Sequence, residues 1–372
     1  MNKLVALLIV SSSLLVVACK KKEGATSTSD QTPAAKPVAP AEPAKPAPAP
    51  PPPAKTVTGD DLAKRYVECW GYFSAKDWDN MKTCYAPNIV SESVDSGMPP
   101  VTGWNDVHDK TEKPMVDAFP DVKGDVELTL INGKNGVTVA LLTGTHSGTL
   151  KTPAGDVPAT NKKFGLQVAH AVHFVDDGKS VDKEWFYQDM GELMSQLGLS
   201  KAPARAASDK PWGSNEIVVA KNDDAEKKNV DVVKAADDAF NKHDAKAMDA
   251  LIGDDLVWSE IGMAKDWNKK EASAMNAQLW KGFSDIKFDV STIWGAGDYV
   301  VEQGTMSGTN DGPMPGMGLA KKTGKPVKLQ YLQVWKIKDG KVSRSWGFWN
   351  SLAFAGQLGL VPPPPAAAPA KK

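Results

Sequence analysis

Two stretches of the chain carry the same succession of patterns. Each opens with apolar residues at helical spacing, over about 60–75 and about 223–242, so that one face of a long helix is apolar. A short second helix and a third follow, the third ending just before Phe119-Pro120-Asp121 in one stretch and Phe283-Ser284-Asp285 in the other. Apolar and polar residues then alternate in segments rich in β-branched side chains and broken by Gly and Asp-Gly turns, which predicts antiparallel strands and hairpins. A short helix closes each stretch. Helices first and a meander afterwards predict an α+β fold.

The order of landmarks shows that one unit is written twice. Phe73 to Asp77, with Met81 and Val90, recurs as Phe240 to Asp244 with Met248 and Val257. Gly144-Thr145-His146-Ser147-Gly148-Thr149 recurs as Gly304-Thr305-Met306-Ser307-Gly308-Thr309, and Asp177-Gly178-Lys179 as Asp339-Gly340-Lys341. Trp185 with Gln196-Leu197-Gly198-Leu199 recurs as Trp346 with Gln357-Leu358-Gly359-Leu360. The units are read as 57–200 and 223–361, joined by a polar, Pro/Gly-punctuated linker at 201–222. Residues 19–56 carry the cysteine and a tether, mostly Pro and Ala from Thr32 to about Ala54, that is extended and without a core. Residues 362–372 share that composition and form an unfolded tail.

The first eighteen residues bring in the compartment. A short positive start precedes an apolar run from Leu4 to Ala18, too short to span a bilayer comfortably. The run ends in Val16-Val17-Ala18-Cys19 and resembles a bacterial lipoprotein signal. That resemblance implies cleavage before Cys19 and acylation of its sulfur, with an uncleaved anchor as the alternative. Lys20 rather than Asp after the cysteine implies the outer membrane, facing the periplasm. In such an oxidising place the remaining Cys69 and Cys84, equidistant from a turn near Lys76-Asp77, could form a disulfide or stay two buried thiols. A net charge of -1 over 372 residues removes any whole-protein argument for nucleic acid.

Each unit resembles the SnoaL-like polyketide cyclase family of the nuclear-transport-factor-2-like superfamily. Phe119-Pro120-Asp121, the Gly144 to Gly148 run, Asp177-Gly178-Lys179, and Trp185 with Asp189 and Gln196-Leu197-Gly198 carry the likeness. It implies two tandem cone-shaped domains, each a bent, mostly antiparallel sheet wrapped by helices around an apolar pocket. It implies no cofactor and no metal, and pairing of the two units through their sheets into an internal pseudo-dimer.

Residues 183–189 read as the last strand of the first unit, and alternation puts Trp185, Tyr187 and Asp189 on one face. Asp189 stands where the family has its acid/base carboxylate, and aromatic neighbours would raise its pKa. Asp189 with Glu192 is equally a capping box, a purely structural use. His146 and His170 are the candidate partners for proton transfer, with His173 on the face opposite His170. The second unit holds seven of the twelve tryptophans and reads as chemically blunted. Its counterparts are read as Met306 for His146, Asn350 for Asp189, and Leu332 and Trp335 for His170 and His173. Trp346, Phe348 and Asn350 share a face there and are the candidate walls of a second pocket. Two functions stay open. One is a lipid-anchored envelope enzyme whose first domain works by acid/base catalysis on a small hydrophobic carbonyl compound. The other is a noncatalytic lipoprotein that binds a small hydrophobic ligand or a protein partner.

Overall fold

The computed structural model describes residues 57–361 apart from 153, 154 and 177. The signal segment, Cys19, the Pro/Ala-rich stretch and the C-terminal tail lie outside the described residues. No helix among those described is long and apolar enough to cross a membrane.

The first half begins with α1 (Gly59–Ala75) and the single-turn α2 (Trp78–Met81). β1 (Tyr85–Ser93) and β2 (Val101–Thr102) lead to α3 (Trp104–Val107) and α4 (Lys113–Ala118), which are fused through a π-helical turn at His108–Glu112. The meander is β3 (Lys123–Asn132), β4 (Asn135–Thr145), the small hairpin β5 (Leu150–Thr152) and β6 (Gly155–Val157), β7 (Lys163–Phe174) and β8 (Val181–Tyr187). α5 (Met190–Gln196) closes it, and β9 (Glu216–Val219) follows. The second half repeats the plan with α6 (Asp224–Asn241), α7 (Ala245–Leu251), β10 (Ile252–Glu260) and α8 (Lys269–Gly282). Then come β11 (Lys287–Ala296), β12 (Tyr299–Thr309), β13 (Pro326–Lys338), β14 (Lys341–Phe348) and α9 (Ser351–Leu358).

Apart from the separate two-stranded β5–β6 hairpin, the strands form one sheet per half, ordered β2-β1-β8-β7-β4-β3-β9 and β10-β14-β13-β12-β11. Within each, the meander is antiparallel, while β1 runs parallel to β8 and β10 parallel to β14. The expected α+β architecture is present. β9 lies inside the stretch read as linker and adds a parallel strand beside β3, with Thr129 opposite Ile217. Ile217 and the two valines after it gave that strand its propensity, outweighed in the sequence reading by the surrounding Pro and Gly.

The repeated landmarks have local causes. Phe73 and Phe240 are buried, and the residue before each repeated aspartate, Lys76 or His243, takes the left-handed conformation at φ 59° and 55°. Asp77 and Asp244 then cap the next helix through the backbone N–H of Asn80 and Ala247. Asp121 accepts from the N–H and hydroxyl of Thr145 at 2.7 and 2.8 Å, and Asp285 accepts from the N–H of Thr309 at 2.6 Å. These contacts align Thr145 with Thr309, so the two Gly-Thr-x-Ser-Gly-Thr strings are four residues out of structural register. The structural counterpart of His146 is therefore Asn310, not Met306. Both are fully buried, and both donate their backbone N–H to the chain returning opposite, at Lys162 and Lys325.

A disulfide joins Cys69 of α1 to Cys84, which follows α2. It closes a loop of 15 residues, for which chain-entropy arguments give about 3 kcal/mol of stabilisation. The double substitution Cys69→Ala, Cys84→Ala is expected to lower the denaturant midpoint correspondingly. An unchanged midpoint would show that the bridge contributes nothing.

The outer faces of the two sheets pack on one another. One apolar cluster takes Leu130, Val139, Ala171 and Tyr187 from the first half and Val301, Leu332, Trp346 and Phe348 from the second. Polar contacts frame it reciprocally. Asp189 Oδ1 accepts from the N–H and hydroxyl of Ser351 at 3.0 and 2.7 Å, beside the turn at Gly262. Asn350 Nδ2 donates to the carbonyl of Asp95, in the corresponding turn of the first half, at 3.0 Å.

Candidate functional site

The first half encloses a cavity of about 100 Å³ between the inner face of its sheet and helices α1 and α4. An apolar cavity of about 150 Å³ is known to hold benzene, so the space suits a guest of about one ring. Tyr66, Trp70 and Phe73 of α1 form one wall, and His170, Glu184 and Phe186 of the sheet form the other. Side chains alternate along β8, so Glu184 and Phe186, and Gln188 beyond them, turn inward. Trp185 and Tyr187 turn outward into the interface between the halves. The alternation was read correctly from sequence and the face was not. Trp185, Tyr187 and Asp189 line neither cavity.

A polar row crosses the inner face. Thr138 on β4 pairs with His170 on β7, and His170 Nε2 lies 3.0 Å from Glu184 Oε2 on β8. Trp70 Nε1 donates to Thr138 at 3.0 Å, and the Tyr66 hydroxyl donates to the carbonyl of His170 at 2.6 Å. The rings of Tyr66 and Trp70 stand edge-on to the imidazole at 5.6 and 5.8 Å, which limits its rotation. Glu184 is only 5% exposed. Burial pushes the Tyr85 and Tyr66 phenols well above their usual range, and the Glu184 charge adds to both.

Glu112 closes the cavity from the π-helical turn, a local geometry often found at functional sites. Burial, reinforced by the Glu184 carboxylate and opposed by Lys76, pushes its carboxyl up to about 8 from 4.5. Glu112 therefore carries a proton near neutrality while facing a second carboxyl group. The unfolded chain releases that proton above about pH 4.5, whereas the folded protein holds it until about 8. Its stabilising contribution is thus full below the lower value and is lost as pH rises through the upper one. Glu127 and Glu192, each pushed up to about 7 chiefly by burial, act in the same direction. Unfolding free energy is expected to fall between about pH 5 and pH 8, and Glu112→Gln to make that fall shallower. An identical slope in the variant, measured by denaturant unfolding, would contradict this placement.

The second half has a cavity of about 110 Å³ in the equivalent place, lined by Trp258, Trp335 and Trp349 together with acids. It is not blunted, as the sequence reading had it, because its acids stand at other positions. Strand pairing puts Glu302 beside Gln333 just as Thr138 stands beside His170, so Gln333, not Leu332, is the counterpart of His170. By the same registers, Lys336, not Trp335, answers to His173. Gln333 donates to Ser345, the counterpart of Glu184, at 2.5 Å. Glu302 accepts from Tyr331 and, at 3.2 Å, from Trp335 Nε1, and it faces Asp237 at the position of Trp70. Glu260 accepts from Trp258 and Trp349 at 2.5 and 2.9 Å. Burial raises the Asp237 carboxyl, and the Glu302 charge adds to it.

The other sequence candidates lie elsewhere. Asp189 is 1% exposed and caps α5 through the N–H of Gly191 at 2.8 Å while bonding Ser351. Its capping use is the one realised, because the strand places it on the interface side. His146 is buried against Phe119 and holds Thr160 through Nδ1 at 3.1 Å, a loop tether like Asn310. His173 pairs with Asp182 at 2.7 Å, away from the cavity. Trp346 and Phe348 belong to the interface, and Asn350 caps α9. Only His170 among the candidate acid/base residues faces a cavity. Glu112 and Glu184 were missed. An inward glutamate one register from His170 was the available signal, but the face was assigned through Asp189. Among the described residues no group of three His, Cys, Asp or Glu side chains is arranged to hold a metal ion.

The model of one protein family, described as SnoaL-like polyketide cyclase, matches residues 60–197 and 230–358. Comparison with curated proteins finds no match. Among solved structures, a SnoaL-like protein from Jannaschia sp. CCS1 is 23% identical, covers 38% of this chain and 99% of its own, and has a TM-score of 0.35. An NTF2-like protein from Burkholderia thailandensis E264 is 24% identical, with coverages of 36% and 98% and a TM-score of 0.30. An LEH-like epoxide hydrolase from M. tuberculosis is 18% identical, with coverages of 36% and 92% and a TM-score of 0.30.

Proposed function

The chain belongs to the SnoaL-like polyketide cyclase family, and from that premise we propose that its first half is a cofactor-free acid/base enzyme acting on a small hydrophobic carbonyl compound. The observation that carries this reading is the Glu184–His170 pair, 3.0 Å apart, opposite Glu112 across a cavity walled by aromatic side chains. Glu184 as a carboxylate takes the proton from the carbon next to the carbonyl. The freed electron pair becomes an enolate, and neutral Glu112 donates to the oxygen where negative charge develops. His170 orients the base. Closure onto a second carbonyl would then return the proton from Glu184 to the new alkoxide. The test is deuterium incorporation, followed by NMR in D2O, into an enolisable aryl ketone and a 1,3-diketone. No exchange above the buffer rate with either compound would favour the noncatalytic, ligand-binding reading.

The leader supports attachment to the envelope. In this reading Cys19 is acylated after cleavage, and the Pro/Ala-rich stretch holds the folded part away from an outer membrane, on its periplasmic side. Multiple acyl chains anchor firmly because each buried methylene contributes about 0.8 kcal/mol. Radiolabelled palmitate is expected to enter the wild-type protein in cells and to be lost in Cys19→Ala. Equal labelling of the variant would refute acylation at this site. The reciprocal contacts of Asp189 with Ser351 and of Asn350 with Asp95 support reading the two halves as an internal pseudo-dimer.

A further inference from the structure

We infer that the cavity of the second half is a separate binding site for a small apolar ammonium compound that also carries an oxygen acceptor. Three acidic side chains, Asp237, Glu260 and Glu302, line it, and no Lys, Arg or His does. Glu302 is held by the donors Tyr331 and Trp335, and Glu260 by Trp258 and Trp349. Burial raises all three carboxyls, and these donors oppose it on Glu302 and Glu260 without bringing a positive charge. A buried carboxylate without a cation is costly, and a guest cation would supply the missing charge. The walls suit an organic cation, because the faces of Trp258, Trp335 and Trp349 attract ammonium groups. The acids are not grouped to hold a metal ion.

A second, independent feature points to a guest. Asn276 is 7% exposed and lines this cavity, and its Nδ2 has no hydrogen-bond partner within the protein. It occupies the position of Glu112 in the first half. A buried, unpaired amide donor on a side chain of the cavity wall calls for an acceptor on whatever fills the cavity. The ammonium and the oxygen would thus be read from different walls. The two cavities share their scaffold but place their acidic groups at non-equivalent positions, so one ligand would not serve both.

The experiment titrates the purified protein with phenylethanolamine, a cation at neutral pH, and with styrene glycol, in which a hydroxyl replaces the ammonium. Binding is followed by tryptophan fluorescence and calorimetry. The cation is expected to bind at least about tenfold more tightly. Asp237→Asn with Glu302→Gln should bring the two affinities together, whereas Glu112→Gln and Glu184→Gln in the first cavity should leave the preference intact. Asn276→Leu should weaken both probes and keep their ratio. Equal affinities in the wild-type protein would overturn the inference without recourse to any variant. So would a preference that survives the double substitution or disappears in Glu184→Gln. Because Glu184→Gln cuts exchange chemistry but spares this preference, the fate of the two proposals can be told apart.

Discussion

Glu184→Gln is expected to cut deuterium exchange into an enolisable ketone by about 10²–10⁴-fold, the usual cost of removing a positioned general base. The amide keeps the shape of the carboxylate and its reach to His170 but cannot accept the substrate proton. The loss should therefore fall on kcat while KM changes little. Glu112→Gln should retain a donor for the enolate oxygen, so exchange should survive better than in Glu184→Gln. Asp189→Asn should leave the rate near wild type, since Asp189 serves α5 and Ser351 and lines no cavity. A variant at Glu184 with wild-type exchange, or one at Asp189 without it, would return the base to the other face of β8.

Trp346→Ala should cost about 3–5 kcal/mol, the range for removing a fully buried large aromatic. Trp346 is 2% exposed at the centre of the cluster shared by both sheets, with Arg344 over its ring at 4.6 Å and Trp212 at 4.8 Å. The hole would open at the seam rather than inside either half. Unfolding of the wild-type chain should therefore be a single transition, and in Trp346→Ala the two halves should part company and give two. The check is denaturant unfolding followed by both fluorescence and circular dichroism. Two transitions already present in the wild-type protein would show that the seam does not couple the halves.

Much of the scaffold was legible because it rests on local chemistry. Helix starts carry local caps such as Thr58 with Asp61, which form a reciprocal pair before α1. The repeat was legible because buried Phe73 and Phe240 and the capping Asp77 and Asp244 recur for the same steric reason. The site was less legible. Strand alternation fixes which residues share a face but not which face is covered by helices and which by the other half. Both faces of these sheets are buried, so Trp185 and Phe186 look equally apolar from sequence. Similar strings also misled the alignment: Gly304 to Thr309 matches Gly144 to Thr149 in letters, while Asp285 binds Thr309 where Asp121 binds Thr145. That slip hid Glu302 behind the match. The π-helical turn that presents Glu112 has no compositional mark.

β9 alters how the protein can be divided. Leu128 to Ile131 of β3 find their outer partners in Glu216 to Val219, so a fragment stopped at residue 200 would leave that row of amides and carbonyls bare. Such an unprotected border invites another chain to add to it. Truncated samples are expected to clump, and any biochemical work on the first cavity in isolation should carry the chain through residue 220.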